Sequence, residues 1–240
     1  MSGDALDLTV VLMLYNERST VRDVALELMT TLDSLNQPWE LLIIDDGSTD
    51  SSETLAEDLA KDDPRIRVIH HRVNGGLGAV YRTGFFTARG SYVTFFPADG
   101  QFPPQILEEF RRAIENADLV LGYLPDRRGA VMSRVLSATE RVLYRALLGP
   151  MPRFQGIMMF RRELLNEITL QSRGRGWAVV MEFILRVSRK PSRVISLPTA
   201  VRPRVAGHSK VNNIRTIIAN LQQMARLRRL LEVDHTAVSN

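Results

Sequence analysis

Cysteine is absent from the 240 residues. Disulfides and thiolate metal sites are therefore excluded, and a reducing compartment, the cytoplasm, is the expectation. Long apolar runs are missing too. The longest early one, Leu8 to Leu14, is too short for a signal-peptide core and follows acidic residues instead of basic ones. No later stretch approaches the roughly 20 apolar residues that span a bilayer. A soluble or peripheral protein is expected. There is no Gly-Lys-Ser/Thr of a phosphate-binding loop. Nor is there a dinucleotide fingerprint: Asn74-Gly75-Gly76-Leu77-Gly78 follows a third strand-like run instead of a first, and Tyr81 takes the place of the third glycine. Close helix–sheet packing explains those glycines better than phosphate binding. Internal repeats, low-complexity tracts and linkers are also lacking.

Hydrophobic residues make up 45% and charged residues 24%, the balance of an ordinary globular chain long enough to bury a core. The formal net charge is only +4, but it is unevenly placed. Arginines gather in the second half, at Arg127 and Arg128, Arg161 and Arg162, Arg173 and Arg175, Arg202 and Arg204, and Arg226, Arg228 and Arg229. Solvated helix faces or an anionic partner both account for them. Nucleic acid is disfavoured as that partner, because no aromatic platform interleaves with the arginines.

The first half alternates β-branched runs with helical spacing. Strands are predicted at Thr9 to Leu14, Glu40 to Ile44, Arg65 to His70, Tyr92 to Phe96 and Leu119 to Gly122. Helices are predicted at Ser19 to Leu35, Ser51 to Lys61 (capped by Thr49 or Asp50), Gly76 to Ala88 and Pro103 to Ile114. Such alternation implies an α/β fold, a mostly parallel sheet with helices on both faces. The second half is less regular. Helices are predicted at Arg134 to Leu148, Trp177 to Ser188 and Asn213 to Leu231, with strands at Gly156 to Phe160 and, at an edge, Val194 to Leu197. A single domain is expected, with a regular part at 1–122, a less regular part at 123–211, and a C-terminal amphipathic helix and tail at 212–240. That helix either packs on the domain or lies on anionic lipid.

Ligands of parallel sheets bind beyond the carboxyl ends of the strands. Three polar clusters fall at that edge: Tyr15-Asn16-Glu17, Asp45-Asp46 and Pro97-Ala98-Asp99. The paired carboxylates Asp45 and Asp46 can cap the turn at Gly47, hold a metal, or accept hydrogen bonds from a base or ribose. Asp99, beside Gln101, suits Mg²⁺ or Mn²⁺ bridging a diphosphate, or simply a turn.

The ordered set Tyr15-Asn16-Glu17, Asp45-Asp46-Gly47-Ser48-Thr49-Asp50, Asn74-Gly75-Gly76 with Gly78, Gly84, Ala88 and Gly90, and Ala98-Asp99-Gly100-Gln101 with Pro103-Pro104 resembles the nucleotide-sugar half of family 2 glycosyltransferases of the GT-A fold. Gly156 with Phe160-Arg161-Arg162, Glu182, and Arg204 with Gly207, Ser209 and Lys210 resemble the second-half motifs of the dolichol- or polyprenol-phosphate sugar transferase branch. The likeness runs over roughly residues 8 to 211, and it implies a nucleotide-sugar-binding half at 1–122 and an acceptor half at 123–211. It implies inverting transfer from a UDP- or GDP-sugar to an acceptor, with a polyprenyl phosphate leading and a soluble hydroxyl acceptor second. A degenerate nucleotide-sugar-binding protein without turnover is a further alternative. The resemblance puts Tyr15 and Glu17 in the nucleotide pocket, and Asp46, with Asp45, on base or ribose. Ala98, Asp99 and Gln101 would lie at the diphosphate, with Asp99 and Gln101 as ligands of Mg²⁺ or Mn²⁺. Arg204, Ser209 and Lys210 would close over the phosphates. It also implies a location on the cytoplasmic face of a membrane.

Three departures stand out. Pro97 replaces the first Asp of the family's Asp-x-Asp, leaving a metal one fewer carboxylate. Met13 stands where a Pro is usual. Pro152, Phe154 and Gln155 replace an Asp–Thr–Ser ahead of Gly156, in the region that approaches acceptor and sugar. A hydroxyl acceptor would need a base, for which Glu182 or Asp99 is the candidate; an ion pair with Arg186, one turn on, is the other reading of Glu182.

Overall fold

Apolar runs with few charges become strands here because both of their faces find a cover. Leu8–Leu14 (β1) and Trp39–Asp45 (β2) are buried at almost every position. In the computed structural model, which describes residues 6–125, 145–146, 148–202 and 222–231, they pair with Ile66–His70 (β3) and Tyr92–Pro97 (β4) as one parallel block. Leu119–Tyr123 (β5), Met158–Arg161 (β6) and Val194–Pro198 (β7) complete the sheet in the order β3-β2-β1-β4-β6-β5-β7. β6 runs antiparallel between β4 and β5, and β7 is the edge strand, parallel to β5.

Side chains alternate across the pleat. Val10, Leu12, Ile43 and Phe96 face one core, which Val21–Ser34 (α1), Ser52–Asp62 (α2) and Ile106–Ile114 (α4) cover. Val11, Leu42, Val93 and Phe95 face the other, which Leu77–Thr87 (α3) and Ala178–Ser188 (α5) cover. In α1 the buried set Val21, Val24, Ala25, Leu28 and Leu32 is the apolar stripe that the sequence spacing predicts. The second core is aromatic. Phe183 stacks on Phe85 and lies 4.6 Å, ring to ring, from Phe160, so α5, α3 and β6 meet through one side chain. Gly84 lets α3 settle on the sheet, because a Cβ there would sit 2.5 Å from the Phe95 ring.

Residues 222–231 are helical. Met224, Leu227 and Leu231 are buried with Leu148, Ala178 and Leu185 in a third, smaller cluster. The described part of the final helix is therefore packed on the protein through its apolar side. Residues 213–221, and most of the helix predicted at 134–148, lie outside the described residues.

Replacing Phe183 with Ala removes the ring that joins three elements. A loss of about 3–5 kcal/mol is expected, read as a lowered midpoint of urea unfolding with an unchanged slope.

Candidate active site

Sheet order decides where a ligand fits. β1 has β2 on one side and β4 on the other, so the connections after β1 and β4 diverge and leave a crevice beyond their carboxyl ends. Register sets the depth of that crevice. Leu14 lies opposite Asp45, Met13 opposite Pro97, and Asp45 opposite His70. Tyr15, Asp46 and His71 therefore stand in one row along the same edge, Ala98 lies level with Leu14 one position below it, and the three predicted clusters converge.

The loops after β1 and β2 hold each other. Asn16 sits in the left-handed region (φ +53°). Its N–H donates to Ser48 Oγ (2.9 Å), and its Oδ1 accepts from the Thr49 N–H (2.7 Å). Next along the chain, the Glu17 N–H donates to Ser52 Oγ and the Arg18 N–H to Asp50 Oδ2. Asp50 also accepts from the backbone N–H and the hydroxyl of Ser52, covering the start of α2 from one position before the Ser51 cap. Burial pushes the Asp50 carboxyl up. The Ser52 hydroxyl and the N–H groups of Arg18 and Ser52 outweigh that and hold it below its ordinary value. Tyr15 and Glu17, both half-buried, are thus carried on a braced loop.

Asp45 and Asp46 turn inward, at 3% and 2% exposure. Asp45 Oδ1 accepts from the Ser48 N–H, and Oδ2 faces His70 Nδ1 at 3.1 Å. Asp46 Oδ1 accepts from His71 Nδ1 (2.6 Å) and the Gly75 N–H (2.9 Å), while Oδ2 accepts from the Gly76 N–H (2.7 Å). Asp46 therefore occupies the anion position at the α3 N-terminus with its own carboxylate. The glycines of that turn serve close packing, but against a chain segment and not against the sheet. The Gly78 N–H donates to the Arg175 carbonyl (2.8 Å), and a Cβ on Gly78 would meet the Gly174 carbonyl at 2.1 Å.

Beyond β4, Ala98 is buried (1%), its N–H bonded to the Met13 carbonyl and its own carbonyl to Thr20 Oγ1 (2.7 Å). It supports the turn from beneath. Asp99 and Gln101 are half-buried above it. Asp99 Oδ1 accepts from the Gln101 N–H (3.1 Å), and the Gln101 carbonyl accepts from the Arg202 N–H (2.7 Å). Asp99 and Gln101 offer oxygen donors only. No group of three or more His, Cys, Asp or Glu side chains assembles among the described residues. This donor set fits a hard cation that completes its shell with diphosphate and water; it does not form an all-protein cage.

The sequence comparisons agree with this geometry. Residues 9–169, from β1 through β6, match the family described as Glycosyl transferase family 2. The chain belongs to that family. This glycosyltransferase is 27% identical over 234 residues to the dolichol-phosphate mannosyltransferase of Saccharomyces cerevisiae, covering 93% of the chain and 87% of that protein. It is 31% identical over 221 residues to the polyprenol monophosphomannose synthase of Mycolicibacterium smegmatis, covering 86% of the chain and 82% of that protein. These relatives support the polyprenol-phosphate sugar transferase branch. In structure it resembles the glucosyl-3-phosphoglycerate synthase of Mycobacterium tuberculosis, crystallised with Mn²⁺, UDP and phosphoglyceric acid. The TM-score is 0.67 at 21% identity, over 91% of this chain and 78% of that one. That likeness supports the GT-A fold.

One predicted site residue lies on a helix. Glu182 is fully buried on α5. It accepts from the N–H groups of Gln171 and Ser172 (2.7 Å for the shortest) and from Arg186 Nε (2.9 Å), so the ion-pair reading describes its surroundings. Arg204, Ser209 and Lys210 lie outside the described residues; the chain enters their segment from Arg202. His70 and His71 were missed by the sequence reading. Their one available signal was register: parallel strands of matching length bring the end of β3 beside Asp45-Asp46.

Two outcomes follow. Asp46→Asn deletes an acceptor facing three N–H donors, with an expected cost of about 1.5–3 kcal/mol in urea unfolding. His70 gives a pH effect. Burial disfavours its imidazolium, but Asp45 on one ring nitrogen and Glu57 on the other outweigh burial and raise its pKa. The stability it contributes is fully present below the unfolded value of about 6.5 and is lost as pH rises through the folded value. The stability difference between the parent and His70→Gln should therefore be largest in mild acid and shrink through neutrality.

Proposed function

We propose that this glycosyltransferase moves a sugar from a UDP- or GDP-sugar onto a polyprenyl phosphate at the cytoplasmic membrane face, with inversion at the anomeric carbon, within one domain. The names of the yeast and mycobacterial relatives support the acceptor. The observation that carries the choice is Glu182. A hydroxyl acceptor needs a base; of the two candidates, Asp99 is the proposed metal ligand, and Glu182 is fully buried with its oxygens bonded to Gln171, Ser172 and Arg186. A lipid phosphate is already an anion and needs none. Its oxygen forms a bond to the anomeric carbon as the bond from that carbon to the donor's diphosphate breaks. UDP or GDP leaves, and a single displacement inverts the centre.

Tyr15 and Glu17 line the nucleotide side in this reading. Asp46 acts one step back as a positioning residue, since its oxygens are engaged by His71, Gly75 and Gly76. Asp45 braces the neighbouring turn. Asp99 and Gln101 would hold Mg²⁺ or Mn²⁺, which neutralises charge on the leaving diphosphate. Pro97 removes one carboxylate from that turn, so Arg204 and Lys210, with Ser209, take a larger share of the phosphate charge. Arg204 is two residues beyond Arg202, whose N–H is fixed to Gln101.

Transfer of labelled sugar from water into an organic phase tests the reading. Counts are expected only with polyprenyl phosphate supplied, and Asp99→Ala should cut them by on the order of 10²-fold or more. Parent-like transfer by that variant would put the phosphates elsewhere. Nucleotide binding with no transfer to any acceptor would favour the degenerate-binder alternative. Glu182→Gln should lower the melting temperature while the folded variant keeps most of its kcat; a large loss of kcat without loss of stability would restore Glu182 as a base.

A further inference from the structure

The small cluster at the C-terminal helix collects one kind of charge. Three segments meet around Leu148, Ala178, Met224 and Leu227: residues 145–151, 171–177 and 222–231. They are tied together directly, since Gln223 Oε1 accepts from the Gly176 N–H and its side chain lies where a Cβ of Gly174 would be. These segments carry Arg145, Arg173, Arg175, Arg226, Arg228 and Arg229, and not one Asp or Glu. All six arginines are exposed. The nearest carboxylate on the packing partner, Glu182, is fully buried and consumed by Arg186. Meanwhile Met224, Leu227 and Leu231, the apolar side of the helix, are spent against α5. The described part of the helix thus turns its buried apolar side to the protein and a face of guanidinium groups to solvent.

We infer that this arginine face is a landing surface for anionic phospholipid head groups, held by charge and not by insertion. The choice of lipid rests on the polyprenyl-phosphate reading. That acceptor is presented at a membrane surface, and Arg175 Nη2 bonds Asn74 Oδ1 (2.7 Å), joining the face to the Gly75-Gly76 turn at the edge of the crevice. A nucleic-acid partner is less well served. The one aromatic among the three segments, Trp177, is half-buried and packed against Tyr81 and Phe154, so no stacking platform stands between the arginines. An arginine near an anionic surface is worth about fivefold in partitioning, and the attraction fades with salt.

Flotation of the full chain with vesicles tests this. Two compositions are used, phosphatidylcholine alone and phosphatidylcholine with phosphatidylglycerol, both without polyprenyl phosphate. Binding is expected only to the anionic vesicles, released by added salt, and reduced roughly twenty-fold or more in Arg226→Glu/Arg229→Glu. Equal binding to both vesicles, binding to neither, or parent-like binding by the double variant overturns the inference. So does tighter binding to a nonspecific oligonucleotide than to anionic vesicles at the same salt. A second assay uses a short-chain polyprenyl phosphate dispersed in detergent. Parent-like transfer by the double variant there shows that its fold is intact. If the parent binds anionic vesicles yet transfers nothing to that acceptor, the acceptor reading fails and the landing surface stands. Transfer without preference for anionic vesicles is the reverse.

Discussion

The Asp46 carboxylate is the contact on which the crevice edge depends. A helix beginning at a glycine turn leaves N–H groups unsatisfied and a partial positive charge at its start. Asp46 meets both needs from the end of the neighbouring strand and receives His71 as well. His71 reaches back to Thr83, one and a half turns into α3, so strand end, turn and helix are cross-linked through one carboxylate and one imidazole. Close approach of the 174–176 segment is possible only because this turn is fixed and lacks side chains. The same anchor already fills the anion position at the start of α3, so the proposed phosphate site lies on the far side of β1, at Asp99.

Much of the fold was legible because burial on both faces forces strands into apolar runs, and these runs are bounded by turn residues. The five strands and four helices of the first half lie close to where spacing predicts them. The gathering of Tyr15, Asp45-Asp46 and Asp99 on one edge followed from parallel topology alone. What could not be read was the direction of each carboxylate. Asp45 and Asp46 carry the same chemistry in the sequence whether they face a ribose or a histidine. Only the register of β3, which places His70 and His71 beside them, decides it. Glu182 posed a similar ambiguity. Spacing offered Arg186 as its partner, but the two further donors come from the backbone of Gln171 and Ser172, which no pattern of side chains announces.

The two sides of the crevice differ in how they are built. The side formed by the loops after β1 and β2 is braced backbone to side chain: Asn16, Ser48, Asp50 and Ser52 use short hydroxyl, amide and carboxylate groups that lose little freedom on ordering. The run Asp45-Asp46-Gly47-Ser48-Thr49-Asp50, whose chemistry suggests a ligand site, spends most of its polar capacity on the protein itself. The side beyond β4 offers less. Pro97 lies at the end of β4 and contributes no carboxylate, and Asp99 stands on a turn that Thr20 props through the Ala98 carbonyl. Rigid walls and few fixed charges make shape the larger part of what this edge offers a ligand.

The contact between Gln223 and the 174–176 segment has a consequence for synthesis. Strands β1 to β4 and the Asp46 anchor involve only the first hundred residues, so they can assemble while the rest is still being made. The segment that clasps the α3 turn emerges some seventy residues later, and its own support later still, with residue 223. A ribosome-bound chain would therefore hold the braced loops after β1 and β2 long before the 174–176 segment could close on the α3 turn. Closure of the 174–176 segment on the α3 turn and docking of the last helix are therefore coupled through Gln223.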